Sequence, residues 1–166
     1  MNVLSLCSGI GGLDLAAKWA GMTTVAFCEI DDYACKDIER RFPGVPIYRD
    51  VRELTAERLK QDGISRIDIV TGGFPCQPHS VAGKRLASFD DRDLWDDHKR
   101  LLCETGAAWG VFENVPGILS SEAGRFFARV LRDLAAIGFD AGWFTFSGCR
   151  RGVNAGKTAG LYRGPQ

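Results

Sequence analysis

Residues Asn2–Gly21 read NVLSLCSGIGGLDLAAKWAG. An apolar run of strand length, Asn2 to Leu6, leads into a turn holding Gly9, Gly11 and Gly12. A helical run follows to Ala20, stopped by Gly21. Strand, glycine turn and helix in this order form a cradle for a nucleotide-like ligand. Glycine lets the backbone approach closely, and the helix start supplies N–H groups. The dinucleotide fingerprint would need glycine at position 14, where Asp14 stands. That counts against a pyrophosphate cofactor and a nicotinamide oxidoreductase. For the glycines alone, plain turn chemistry is the competing reading.

The alternation continues. Thr24–Cys28 reads as a strand, Asp31–Phe42 as a helix, Pro46–Tyr48 as a strand and Thr55–Gln61 as a helix. Ile67–Val70 is a fourth strand, Leu94–Thr105 a helix and Trp109–Phe112 a fifth strand. Ser121 can cap a helix to Ile137, whose Phe126, Phe127, Val130, Leu131, Leu134 and Ile137 form one core-facing stripe. Trp143–Phe146 is a sixth strand. Such alternation predicts an α/β fold: a mostly parallel sheet with helices on both faces. Acids stand where strands end. Glu29 lies 20 residues after Gly9, the spacing of an acid that takes a ribose hydroxyl pair. Asp50 can accept from an adenine amino group or cap the next helix. Glu113 follows the fifth strand.

The loop after the fourth strand, Thr71–Arg85, reads TGGFPCQPHSVAGKR. Pro75 and Pro78 flank Cys76 and stiffen its loop. Such a loop suits a nucleophile that must meet its target at one angle. A buried structural thiol is the bland alternative. The chain has 166 residues with equal numbers of acidic and basic side chains, so it carries no global field toward or away from nucleic acid. Its six cysteines show no zinc-like spacing, and no resolving cysteine sits beside Cys76, which makes a thiol redox protein a poor reading. No metal is expected. No stretch approaches the ~20 apolar residues of a membrane span.

These motifs, in this order, resemble those of the DNA cytosine-5 methyltransferases. LCSGIGGLDLA resembles the family's cofactor loop, with Cys7 where Phe is usual. Glu29 and Asp50 resemble the next two cofactor contacts. GFPCQPHSVAGKR resembles the catalytic loop, DRDLW the segment beyond it, and FENVPGIL the ENV motif. The resemblance covers residues 1–147 and implies a Rossmann-like S-adenosylmethionine-dependent methyltransferase domain. It implies Cys76 as the nucleophile at cytosine C6 and Glu113 as the residue holding the N3 and N4 edge. It implies an S-adenosyl-L-methionine site lined by Ser8, Gly9, Gly11, Leu13, Glu29, Ile30, Asp50, Val51, Pro75 and Leu94. Gln77, Ser80, Lys84 and Arg85 would lie toward double-stranded DNA with a flipped cytosine. A restriction-modification or phage modification role follows, in the bacterial cytoplasm near the nucleoid.

The resemblance stops near Ser147, so the fold is expected to be C-terminally incomplete. Residues 148–166, GCRRGVNAGKTAGLYRGPQ, show no strand pattern and are expected to form an irregular tail. One allowed back-translation of residues 147–165, shifted by one base, yields paired arginines followed by an apolar strand. An out-of-frame tail is therefore one reading. Without a target-recognition region, weak or no methylation by this chain alone is expected. A non-catalytic remnant, a subunit that needs a complementing C-terminal chain, and a tRNA cytosine-5 methyltransferase are the alternatives.

Overall fold

The computed structural model describes residues 1–74, 94–147 and 156–163. Five strands run parallel: β1 (Asn2–Leu6), β2 (Thr23–Cys28), β3 (Ile47–Tyr48), β4 (Ile69–Gly72) and β5 (Trp109–Asn114). Two more strands follow, β6 (Asp140–Ser147) and β7 (Gly156–Arg163), and the sheet order is β3-β2-β1-β4-β5-β7-β6. β7 lies between β5 and β6 and runs antiparallel to both. The helices are α1 (Gly12–Trp19), α2 (Asp32–Arg41), α3 (Ala56–Gln61), α4 (Trp95–Thr105) and α5 (Arg125–Ala136).

Alternate strand residues serve opposite faces of the sheet. Leu4, Leu6 and Val70 pack with Leu59 of α3, Trp95, Leu101 and Leu102 of α4, and Val130 and Leu134 of α5. Val3 and Ile69 face the other way, onto Ala17 of α1. Phe27 meets the ring of Phe42, just past α2, at 5.1 Å. This core is what the helical stripes and the buried strands dictate. Asp31 and Thr55 cap α2 and α3, accepting from the Ala34 and Arg58 amides.

Three expectations need correction. The fourth strand begins at Ile69, not Ile67, because its ladder to β1 starts at the Val3–Ile69 pair. Ser121 does not cap the helix. It lies in a 3₁₀ turn whose Glu122 and Ala123 take left-handed backbone, φ 51° and 58°, so α5 starts only at Arg125. The tail is not irregular throughout, since residues Gly156–Arg163 form β7. Hydrogen bonding to strands on both sides supplies the order that this segment's diluted apolar pattern does not announce.

Candidate active site

In an open α/β sheet, ligands bind at the carboxyl ends of the strands, where strand order reverses. That point falls between β1 and β4. The loop after β1 begins at Cys7 with φ 46° and continues through Gly9 at φ 52°. A side chain at Gly9 would find open space, so it is the backbone angle that asks for glycine. Gly11 caps α1 in the left-handed region, with the Phe42 ring 3.1 Å from where a Cβ would stand. Burial and the charge of Glu29 push the Cys7 thiol up to about 12, so it is a neutral packing group.

Glu29, at the end of β2, is 8% exposed. Its Oε2 accepts from the Gly9 amide at 2.7 Å and its Oε1 from the Asp31 amide at 2.9 Å. The acid thus locks the glycine loop to the β2–α2 turn. Each carboxylate oxygen keeps a second acceptor direction for a ligand hydroxyl. Ile30 is 65% exposed, and its carbonyl accepts from Arg49, which also pairs with Asp32 at 2.6 Å. Ser8 donates to the Ser5 carbonyl at 3.1 Å, and Leu13 is half-buried.

Asp50 does not cap α3, a role taken by Thr55. Its Oδ1 accepts from the Arg52 amide at 2.9 Å, and its Oδ2 from Arg52 Nη2 at 2.6 Å. Those bonds hold its carboxyl below the usual range. Val51 beside it is buried. Leu94 stands at the N-cap of α4, packed against the core.

The end of β4 meets the end of β5. A Cβ on Gly73 would lie 3.2 Å from Cγ and 3.4 Å from Oε1 of Glu113. Asn114 Nδ2 donates to the Phe74 carbonyl at 2.9 Å. So the first residues of the Cys76 loop are seated on the ENV motif. Cys76 itself, with Pro75, Gln77, Ser80, Lys84 and Arg85, lies outside the described residues.

Sequence reasoning passes over two buried polar residues. Asp14 reads there only as a missing glycine, yet it is 1% exposed and accepts from Ser5 Oγ and Thr24 Oγ1, each at 2.8 Å. It ties β1, α1 and β2 together beneath the glycine loop, and burial raises its pKa. His98 lies wholly buried under Gly72 and edge-on to Phe74 and Phe112. Its Nδ1 is 2.7 Å from the Leu94 carbonyl, so Nδ1 holds the proton. Its Nε2 has no hydrogen-bond partner among the described residues. Burial drives its pKa down to about 4. A histidine in an otherwise apolar helical stripe is the only signal the sequence offers for it.

The model of C-5 cytosine-specific DNA methylases matches residues 1–154. The chain belongs to the C-5 cytosine-specific DNA methylase family. Among curated members, it is 34% identical over 141 residues to the type II methyltransferase M.NgoMIV of Neisseria gonorrhoeae, covering 84% of this chain and 44% of that one. It is 32% identical over 144 residues to M2.BsuMI of Bacillus subtilis, covering 84% and 35%. A crystal structure assigned to a DNA modification methyltransferase of an E. coli prophage superposes with a TM-score of 0.82 at 27% identity, over 99% of this chain and 47% of that one. The S. pombe Dnmt2 methyltransferase shares the fold, with a TM-score of 0.76 at 23% identity, over 99% of this chain and 51% of that one. This methylase chain therefore spans less than half the length of the curated relatives named here. Its sheet is that of Rossmann-like S-adenosylmethionine methyltransferases. No helix among the described residues is long and apolar enough to cross a membrane.

Proposed function

We propose that this chain forms the cofactor-binding and catalytic part of a bacterial or phage DNA cytosine-5 methyltransferase of the restriction-modification type, acting in the cytoplasm. The observation that carries the reading is the junction of Gly73 and Phe74 with Glu113 and Asn114, which brings the base of the PCQ loop to the ENV motif. The residues of the β1–β4 switch point suit an adenosyl group. Gly9 gives a close backbone approach, Glu29 offers acceptor directions for a ribose, and Asp50 stands just past β3 at the same end of the sheet. S-adenosylmethionine, when bound, supplies an electrophilic methyl group.

The chain's own residues prepare the carbon that takes it. Cytosine C5 is a weak nucleophile until a thiolate adds at C6. The Cys76 thiolate forms that bond and makes C5 enamine-like. Glu113 holds the N3 and N4 edge of the flipped base, so charge developing on the ring meets a partner in place. Once C5 carries the methyl, loss of its proton expels the thiolate and restores the ring. Gln77 and Ser80 fill the space the base leaves, and Lys84 and Arg85 contact phosphates.

Trapping tests the reading. Duplex DNA containing 5-fluorocytosine, incubated with the chain and S-adenosylmethionine, should yield a covalent adduct by denaturing electrophoresis, absent in Cys76→Ser. Retention of the adduct in Cys76→Ser would end it. An adduct on fluorinated RNA but not DNA would move the substrate to RNA. A complementing C-terminal chain is the second reading, favoured by the 44% share of M.NgoMIV that this chain covers. Adduct formation that appears only on adding the C-terminal half of that relative would support it.

A further inference from the structure

The segment from Asp50 to Ala56 carries two of the residues read above as cofactor contacts, yet β3 before it is only two residues long. A short edge strand cannot fix the loop that leaves it. What fixes the loop comes from α4. Arg100 Nη2 donates to the Val51 carbonyl at 2.8 Å, and Nη1 donates to the Leu54 carbonyl at 2.8 Å. One turn further on, Glu104 Oε2 accepts from the Ala56 amide at 3.1 Å. Asp97 at 3.1 Å and Glu104 at 3.2 Å hold the guanidinium on both sides. Within the loop, the Glu53 and Leu54 amides both bond to the Asp50 carbonyl, at 3.2 and 3.1 Å. Arg100 therefore bridges the turn that the Asp50 carbonyl closes, and its Nη2 also reaches, at 3.5 Å, the carbonyl of Arg52, whose amide and guanidinium hold the Asp50 carboxylate.

We propose that Arg100 is a positioning residue for the purine end of the cofactor site: its fork clamps the Val51 and Leu54 carbonyls to α4 and thereby aims the Asp50 carboxylate. This rests on the adenosyl reading of the site given above. The chemistry fits arginine and not lysine. Two carbonyls on one turn, met by two nitrogens of one planar group, need a rigid fork. The clamp also joins Asp50 and Val51 to Leu94, because Leu94 caps the same helix. Both walls of the purine site then move as one body.

The test compares S-adenosylhomocysteine with S-inosylhomocysteine, which carries an oxo group where the purine amine was. Calorimetry on the full chain should give wild type about a tenfold preference for the adenosyl compound, the value of one hydrogen bond. In Arg100→Gln the adenosyl affinity should fall about tenfold while the inosyl affinity holds, so the ratio drops toward one. A general loss of folding would lower both together. Arg100→Lys, which keeps the charge and loses the fork, should also lose the preference, and it serves if the glutamine variant does not fold. Amide exchange on the ligand-free protein is the independent readout. Glu53 and Leu54 should exchange at least about tenfold faster in either variant, with Val70 in β4 unchanged. An unchanged ratio, or unchanged exchange at those amides, overturns the proposal. If wild type binds neither nucleoside, the cofactor reading fails, and the exchange result still decides the clamp.

Discussion

Asp14 sits 1% exposed with a hydroxyl on each oxygen. Asp14→Ala should cost about 2–4 kcal/mol in urea unfolding at pH 7, since it strands two buried hydroxyls. Asp14→Asn should stay within about 1 kcal/mol of wild type, because an amide can accept from one hydroxyl and donate to the other. The asparagine variant should also gain on wild type as pH rises. A carboxyl whose folded pKa is raised contributes stability that is lost as pH climbs through that pKa. A loss in the asparagine variant as large as in the alanine variant would mean that the charge itself is required. His98 has the opposite sign. Its folded pKa is about 4 against 6.5 unfolded, so below pH 6.5 the unfolded chain takes up a proton that the folded chain refuses. Wild type should lose roughly 3 kcal/mol from this source between pH 6.5 and 4, and His98→Leu should remove that part of the slope. On the mechanism proposed above, Gly73 bears on catalysis and not on stability. An added methyl at 3.2 Å would push Glu113 by a few tenths of an ångström. Gly73→Ala should therefore keep its melting temperature yet trap 5-fluorocytosine DNA roughly tenfold more slowly.

Most elements were legible because their own side chains specify them. The apolar runs of β1 and β2 are buried as their spacing predicts, and the α5 stripe is buried at its centre, Val130 and Leu134, with Phe126, Phe127, Leu131 and Ile137 partly buried around them. Strand-end acids were legible for the same reason, since strand ends meet at one edge of a parallel sheet. What stayed hidden depends on partners distant in sequence. The start of α5 depends on two left-handed residues inside a 3₁₀ turn, and no propensity marks Glu122 or Ala123 for that backbone. Arg100 reads as a solvated helix charge until α3 and its preceding loop are laid beside α4. β7 is ordered by pairing, with Gly160 opposite Phe112 on one side and Trp143 on the other. That origin makes it testable. Gly160→Pro removes a ladder donor from a strand bonded on both flanks and should lower stability by about 3 kcal/mol or more, seen as a depressed melting temperature. A melting temperature equal to wild type would show that residues 156–163 are not a strand in solution.

Across the whole molecule the two faces of the sheet are unequally covered. Among the described residues, one continuous cluster of nineteen buried side chains joins α3, α4 and α5 to the sheet. On the α1 side, over β4 and β5, the cluster is Val3, Ala17 and Ile69, with Met22, Trp109 and Val111 only partly buried. Apolar sheet surface left partly exposed favours association with whatever can cover it. The curated relatives are more than twice this chain's matched share in length, as the 44% and 35% coverages state. The second reading proposed above, a complementing C-terminal chain, predicts that such a chain covers this face. Labelled S-adenosylmethionine and mixed-sequence DNA give the measurement. The 166-residue chain alone should transfer methyl only slowly, enough to trap 5-fluorocytosine DNA in a single turnover but without sustained turnover, and it should bind a hydrophobic dye. A separately expressed C-terminal half of a relative should suppress the dye signal and restore methylation in the same titration, because one docking event would do both. Robust turnover by the chain alone, with no dye bound, would show that this half already closes its own core and finds its own cytosine.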